Sequence, residues 1–352
     1  MRMGSLGVAL AVVVLAAGGC KKEQGAQQAG RQGGGGAEKP LRLGFFPNIT
    51  HAQALVGNGS GAFQQALPGL EPKMFNAGPT AMEALISGSL DASYVGTGPA
   101  INTFLKGGRE LRVIAAAVDA GAVLVTKTAR SPAELKGKTL ATPQLGNTQD
   151  IALRHWLGQQ GMKVGQDVTV TPLSNPDILG LFSNGKIEGA WVPEPWGARM
   201  VAEAGGHILV DERDLWPERR FHTTVLVTTR QALEQRREQL KKLLRVHVEL
   251  TRQWQQQPDT FVPRVNQAFS KVTGHPISEP VLKDAFTRLE PALEPVPARL
   301  QQAAEHARQL GFIPSSDLQG MVDDSLLREV LAEGAGPSPT SPQGETAPPQ
   351  GK

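Results

Sequence analysis

Five turns of this sequence place small or polar residues where a predicted strand gives way to a predicted helix. The start of a helix leaves backbone N–H groups unpaired and carries the positive end of the helix dipole. Several such turns at one sheet edge predict a pocket for an anion, although each turn alone is typical of ordinary helix capping. The five turns are residues 76–80, 96–99, 145–149, 174–176 and 193–196.

Another polar segment follows the first predicted strand, which covers residues 41–46. It places Asn48, Thr50 and His51 at a further helix start. These side chains can bind a ligand through hydrogen bonds. The alternative is a helix cap, with the imidazole of His51 packed in the core, and the residue types favour neither interpretation.

Two tryptophans flank a carboxylate in the segment Trp191-Val-Pro-Glu194-Pro-Trp196. Such a segment suits contact with the apolar part of a ligand or with an ammonium group. Equally, Glu194 can pair with Arg199, and the two indole rings can belong to the core. Because a carboxylate repels a simple anion, a ligand role for Glu194 requires a zwitterion, such as an amino-sulfonate, or neutralisation by an arginine.

Motifs for catalysis, metals and cofactors are missing from the sequence. Residues 57–62 match G-x-G-x-x-A, but a predicted helix rather than a strand precedes them, which argues against a dinucleotide loop. There is no H-E-x-x-H, no Walker loop and no G-x-S-x-G, and the seven histidines have no metal-ligand spacing. We therefore expect no catalytic residue, no metal and no cofactor.

Composition limits the class of protein. The chain has 352 residues, of which 40% are hydrophobic, and this share excludes wholesale disorder. The net charge is only +3, and the densest basic cluster, residues 236–242, is typical of a solvated helix face. Since binding motifs and interleaved aromatic residues are absent, we expect no nucleic-acid partner.

The two ends of the chain differ from its body. Residues 1–20 combine an apolar run, too short to span a bilayer, with Gly-Gly-Cys20, which is typical of a lipoprotein signal. The alternative is a plain secretory signal with an incidental cysteine. Residues 21–40 are predicted to be a flexible tether, and residues 334–352 a disordered tail. We expect export, a lipid on Cys20, and a location in the periplasm or on the outer face of the cell membrane.

Between these ends, strands and helices alternate twice and are followed by helices from residue 231 onward, which predicts an α/β fold with two lobes. The chain is expected to enter the second lobe near residues 127–129 and to return near residues 222–225. Lobe 1 is then 41–127 with 223–333, and lobe 2 is 128–222. Two crossings form a hinge, and the cleft between the lobes suits a small ligand.

Several segments resemble the periplasmic solute-binding proteins of ABC importers, in the branch for nitrate, taurine and aliphatic sulfonates. The resemblance covers residues 41–333 and implies the two-lobed type II periplasmic-binding-protein fold, with a central cleft, a hinge and a helical C-terminal block. It also implies a monomer that binds a small anionic or zwitterionic ligand and delivers it to the transmembrane subunits of a permease. The segments are residues 44–52, 83–91, 134–138, 146–154 and 191–196.

The turns and the resemblance together define the expected ligand contacts. N–H and hydroxyl groups around Thr80, Thr97 and Thr148 would hold the anionic head, and the two tryptophans would cover the organic part. The residues expected to bind the ligand are Asn48, Thr50, His51, Gly78, Thr80, Thr97, Gly98, Gly146, Asn147, Thr148, Gln149, Trp191, Glu194 and Trp196.

Two alternatives remain open at this point. The same fold serves enzymes of thiamine-pyrimidine and menaquinone-precursor synthesis, but the thiamine type calls for a Cys-rich iron motif, and Cys20 is the only cysteine. The export signal also argues against such an enzyme. A lipid-anchored sensor or scaffold that binds a partner protein would need only the two lobes.

Overall fold

The computed structural model describes residues 39–334, and the strands in this part of the chain form two separate sheets. The predicted signal with Cys20, nearly all of the predicted tether and the predicted tail lie outside the described residues. The strands are β1 Arg42–Phe45, β2 Glu71–Met74, β3 Ala92–Val95, β4 Leu111–Ala120, β5 Ala122–Thr126, β6 Thr139–Thr142, β7 Thr169–Pro172, β8 Gly189–Pro193, β9 His207–Asp211, β10 His222–Thr229 and β11 Leu289–Pro291.

Helices follow most strands and continue beyond the last long one. The helices are α1 Ala52–Gly59, α2 Ala62–Ala66, α3 Gly78–Ile86, α4 Thr97–Lys106, α5 Thr148–Gln159, α6 Asn175–Ser183, α7 Trp196–Ala204, α8 Arg230–Gln235, α9 Arg237–Gln256, α10 Pro258–Thr273, α11 Glu279–Phe286, α12 Pro297–Gln309 and α13 Ser325–Gly334. The sequence predicted helices from residue 231 onward, and in the structure the first two of them, α8 and α9, meet at Arg236.

The first sheet has the strand order β11-β4-β10-β3-β1-β2, and the second has the order β7-β6-β8-β5-β9. In the first sheet β1 runs parallel to β2 and β3, and in the second β6 runs parallel to β7 and β8. The remaining pairs, which involve β4, β5, β9, β10 and β11, are antiparallel. In both sheets, helices begin after the carboxyl ends of the parallel strands.

Apolar residues cover both faces of each sheet because the strands lie between helices. On β10, Leu226 packs in one core cluster, whereas Val225 and Val227 pack in another. The same alternation divides Leu124 from Val123 on β5. Side chains alternate across a strand, so a strand that reads as continuously apolar is buried on both sides.

The chain passes from the first sheet to the second at Gly121, which lies between β4 and β5. Ala120 and Gly121 have φ values of +62° and +79°, and a Cβ on Gly121 would lie 2.1 Å from Cδ2 of Leu289. The change of sheet thus comes six residues before the boundary expected at residue 127. Sequence patterns cannot locate it, because β4 and β5 are both mainly apolar and almost entirely buried. The chain returns at β10, which begins at His222.

Candidate functional site

Four helices of at least nine residues begin around one small cavity. The helices α3 and α4 follow the parallel strands β2 and β3 of the first sheet, and α5 and α6 follow β6 and β7 of the second. Gly78 begins α3, Gly96 precedes α4, Asn147 precedes α5 and Asn175 begins α6, and all four residues line the cavity. The arrangement brings the positive ends of four helix dipoles to one place.

The cavity has a volume of about 30 Å³, which suffices for about two water molecules or part of a small head group. Seven residues expected from the sequence line it: Asn48, Thr50, His51, Gly78, Asn147, Thr148 and Gln149. The rest of the lining consists of Phe46, Asn76, Ala77, Gly96, Pro99, Pro143, Asn175, Pro193, Thr223 and Thr224. Among these described residues there is no carboxylate, lysine or arginine.

His51 is buried and uncharged at neutral pH. Its Nδ1 accepts a hydrogen bond of 3.3 Å from the backbone N–H of Phe46, and its ring lies 4.4 Å from the ring of Phe46. Burial lowers the pKa of His51 to about 3. Because Nδ1 accepts, the single proton of the neutral ring is on Nε2, which makes that nitrogen a donor.

The turn before α5 is held by its own hydrogen bonds. Oδ1 of Asn147 accepts from the backbone N–H of Asp150 at 2.8 Å, and Nδ2 of Asn147 donates to Oε1 of Gln149 at 3.2 Å. The carboxylate of the fully buried Asp150 also accepts from the N–H of Gly146, at 2.9 Å. Gly146, with φ of +73°, therefore shapes this turn and does not line the cavity.

A contact across the cavity joins the two sheets. Oγ1 of Thr148, the first residue of α5, accepts from the backbone N–H of Gly98 in α4 at 3.2 Å. A Cβ added to Gly96 would lie 2.3 Å from the same Oγ1. The absence of a side chain at Gly96 thus allows the starts of α4 and α5 to meet.

Two polar atoms of the cavity wall are buried and have no hydrogen-bond partner among the described residues. They are Oδ1 of Asn175 and Oγ1 of Thr224. Thr224 is 1% exposed and Asn175 is 7% exposed. An unpaired buried polar group costs about 1–3 kcal/mol, and a bound ligand that pairs with it recovers part of that cost.

Three expected contacts lie close to the cavity but do not line it. Thr80 is exposed, and its hydroxyl donates back to the carbonyl of Ala77 at 3.0 Å, as a residue in the first turn of α3 can do. Thr97 and Gly98 are buried in the first turn of α4, one and two residues beyond the lining residue Gly96. The sequence located these turns, but it could not say which residue of each turn faces the cavity.

Trp191 lies in the core of the second sheet, away from the cavity. It is completely buried, and its indole N–H donates to Oε2 of Glu212 at 2.7 Å. Burial raises the pKa of Glu212 to about 7, and the hydrogen bond from Trp191 opposes this shift. The expected role of Trp191 as a cover for the ligand is therefore replaced by a packing role, because β8 turns its side chain into the sheet's core.

Glu194 is also completely buried and is neutralised within the protein. Its Oε1 accepts from Nε of Arg288 at 2.6 Å, and its Oε2 accepts from the backbone N–H of Ala198 at 3.0 Å. Burial raises the pKa of Glu194, and the positive charge of Arg288 opposes the shift. Arg199, the partner considered from the sequence, pairs with Glu203 instead. Sequence patterns could not identify Arg288, because it lies 94 residues further along the chain.

Trp196 stands beside the cavity at the start of α7. Its indole N–H donates to Oδ1 of Asn48 at 2.9 Å, and this buried bond ties the loop after β1 to the second sheet. The guanidinium of Arg199 lies over the same ring at 5.0 Å. Trp196 lines a second cavity, together with Asn48.

Five of the lining residues that were not among the expected contacts are polar residues or glycine. Asn76, Gly96 and Asn175 lie in turns that the sequence had singled out, so their turn position was the available signal. Thr223 and Thr224 lie in β10, where strand periodicity does not distinguish a cavity residue from a core residue.

Two features are absent from the described residues 39–334. No group of three or more His, Cys, Asp or Glu in this range is placed to hold a metal ion. None of its helices is long and apolar enough to cross a membrane.

The fold is that of the periplasmic binding proteins, as the sequence predicted. The alkanesulfonate-binding protein SsuA from Xanthomonas axonopodis pv. citri, bound to MOPS, superposes with a TM-score of 0.68 at 18% identity over 81% of this chain and 98% of that one. The nitrate-binding protein NrtA from Synechocystis PCC 6803 gives a TM-score of 0.70 at 16% identity over 84% and 89%. At these identities the likeness establishes the fold.

Sequence comparison identifies the family. The NMT1-like family matches residues 34–262, and the chain belongs to it. The taurine-binding periplasmic protein of Escherichia coli (strain K12) is 25% identical over 257 residues, which are 69% of this chain and 78% of that protein. A protein of Brucella abortus (strain 2308) that is named as a binding protein is 24% identical over 209 residues, and the match spans 59% of this chain and 64% of the relative's length.

Proposed function

We propose that this protein is the solute-binding component of an ABC importer of the taurine, sulfonate and nitrate type, and that it binds a small anionic group reversibly. The observation that carries the proposal is the convergence of four helix starts on a cavity lined by neutral donors. The names of the relatives, which bind taurine, nitrate or alkanesulfonates, support the same class of ligand.

The cavity suits an anion because it offers positive potential without a formal charge. Unpaired N–H groups at the helix starts, Nε2–H of His51 and the hydroxyl of Thr148 are donors that need no counter-ion. A hydrogen bond to a charged group contributes about 1.5–3 kcal/mol. Four of them at the upper end of this range sum to about 12 kcal/mol, which leaves the roughly 8 kcal/mol of micromolar affinity after an association cost of about 4 kcal/mol.

The donors come from helices that follow both sheets, so a bound ligand stabilises the state in which the two sheets are closed around it. Gly96 is the residue that permits this closure, because a methyl group there would collide with Oγ1 of Thr148. An alanine at this position is compatible with the backbone, since Gly96 has φ of −69°. Gly96→Ala should thus keep the protein folded while preventing the closed state.

The experiment is isothermal titration calorimetry with nitrate, methanesulfonate, taurine and bicarbonate. We expect micromolar binding of at least one anion, and a loss of about tenfold or more in Gly96→Ala. The matched control is Gly180→Ala in α6, where a Cβ would meet no atom within 4 Å. An absence of binding for every anion would refute the proposal, and equal affinity in Gly96→Ala would refute the role of closure.

The finer parts of the proposal concern location and partners. We propose that the protein acts as a monomer outside the cytoplasmic membrane, is anchored by a lipid on Cys20, and delivers its ligand to a permease. Metabolic labelling with a palmitate analogue should label the wild type and not Cys20→Ser. Label on Cys20→Ser, or a wild type that stays unlabelled and is released as a free protein, would contradict the anchor.

A further inference from the structure

A second and larger cavity lies against the first. Its volume is about 370 Å³, and it opens between the second sheet's helices α6 and α7 and the end of α10. Its apolar wall is formed mainly by Leu179, Trp196, Phe269, Pro276 and Ile277. The helical block after β10, which contains none of the contacts expected from the sequence, therefore supplies part of this wall.

The two cavities share part of their lining. Asn48, Asn76 and Asn175 line both of them and form their common boundary. Oδ1 of Asn175 is buried there without a partner among the described residues. A ligand that extends from one cavity into the other would pass this amide, whose Oδ1 can pair only with a hydrogen-bond donor on the ligand.

Volume decides which part of a ligand fits where. The first cavity, at about 30 Å³, accepts part of an anionic head and has no room for an organic substituent. A dry cavity of about 150 Å³ can hold benzene, so 370 Å³ leaves room for a ring with substituents. A nitrate ion would leave the second cavity unfilled.

Among its described lining residues, the second cavity has no unpaired positive charge that would favour a second anionic group on the ligand. Arg199 lines it, but its guanidinium is bonded to both carboxylate oxygens of Glu203 at 3.0 Å and lies over the ring of Trp196. The remaining wall is mainly apolar and includes the aromatic face of Trp196, and Ser174, Thr273 and His275 add polar groups to those of the three asparagines. Such a wall favours a neutral ring or a branched apolar group.

We propose that the second cavity binds the bulky apolar or aryl substituent of an organic anion whose head group occupies the first cavity. The proposal rests on the proposed function, since it assumes an anion in the first cavity. It assigns this chain a preference for organic anions with a ring-sized substituent over nitrate or taurine. Leu179 is the residue of α6 that sets the depth of the subsite, one helical turn beyond Asn175 and on the same face.

Calorimetry with methanesulfonate and benzenesulfonate tests the subsite, because the two share a head group and differ in the substituent. For the wild type we expect benzenesulfonate to bind about tenfold tighter or more, from burial of the ring. In Leu179→Trp the new indole fills the second cavity. That variant should lose this advantage while its affinity for methanesulfonate stays within about twofold.

The matched control is Leu181→Trp, which adds the same bulk to the same helix at a half-buried residue that lines neither cavity. It should keep the preference for benzenesulfonate. Equal wild-type affinities for the two sulfonates would overturn the subsite but not the proposal that the first cavity binds an anion. An equal loss of affinity for both ligands in Leu179→Trp would have the same meaning. Binding of neither sulfonate, with nitrate bound, would also overturn the subsite, whereas failure of every anion would overturn the proposed function as well.

Discussion

Formal charges are buried where the chain passes between the two sheets, whereas the cavity beside those strands is lined by neutral groups. Asp119, at the end of β4, is fully buried and accepts from Nδ1 of His222 at 2.6 Å and from Arg299 at 2.7 Å. Glu194 and Arg288 form a second buried pair near the end of β8. Each buried carboxylate here is satisfied by partners inside the protein.

The difference separates structural polar groups from groups that can bind a ligand. A buried charge without a partner is so costly that the fold must supply the partner itself. Neutral donors such as the hydroxyl of Thr224 carry a smaller cost when unpaired, so the protein can keep them free for a ligand. We therefore expect substitutions in the charged pairs to change stability, and substitutions in the cavity to change affinity.

The largest effect is expected for Arg288→Met. Removing the cation leaves the carboxylate of Glu194 buried and unpaired, which should lower the free energy of unfolding by about 3–5 kcal/mol. Chemical denaturation measures it. The double variant Glu194→Gln with Arg288→Met removes the stranded charge and should recover part of the loss. Equal stability of Arg288→Met and the wild type would show that the pair of Glu194 and Arg288 does not stabilise the fold.

A buried carboxylate without such a pair should show itself in the pH dependence of stability. The folded-state pKa of Glu212 is raised to about 7, so the folded protein retains a proton that the unfolded chain releases near pH 4.5. Stability should therefore fall as pH rises from about 4.5 to 7, by on the order of 3 kcal/mol.

Glu212→Gln should remove this pH dependence while keeping an acceptor for the indole of Trp191. Its melting temperature, relative to the wild type, should be higher at pH 8 than at pH 5. The control is Glu203→Gln, which alters an exposed carboxylate and should shift both values equally. A difference between Glu212→Gln and the wild type that does not change with pH would contradict the raised pKa.

A smaller effect distinguishes two threonines of β10. Thr224→Val replaces a buried hydroxyl that has no partner, so the ligand-free protein should gain about 1 kcal/mol while anion affinity falls about five- to tenfold. Thr228→Val removes a hydroxyl that donates to the carbonyl of Asp91 at 2.6 Å. It should lose about 1 kcal/mol of stability with affinity unchanged. The same outcome for both variants would remove Thr224 from the ligand site.

The smallest change is expected for the pH dependence of anion affinity, which should be close to zero. Because the pKa of His51 is lowered to about 3, its ring stays neutral from pH 8 down to pH 5. The affinity for methanesulfonate, which remains ionised throughout, should then be constant within about twofold. Calorimetry at pH 5, 6.5 and 8 checks this. Tighter binding as pH falls through 6.5 would mean that a charged imidazole binds the anion.

Local patterns were sufficient for the turns and for most helices. Gly78, Asn147 and Thr148 were expected at helix starts because glycine, asparagine and threonine are favoured there, and the structure places them on the cavity wall. Two strands were missed for physical reasons. The residues of β2 are all exposed, so they show no apolar alternation, and β11 has only three residues.

The sequence by itself determined the α/β alternation and the turns at which a ligand could meet helix starts, because capping and periodicity are properties of neighbouring residues. Only the tertiary structure decided which of these residues share a cavity. In the folded chain Glu194 pairs with Arg288, Trp191 is buried in the core, and Gly96 before α4 packs against Thr148 at the start of α5. These contacts join residues far apart in the chain, and their geometry depends on how the two sheets pack.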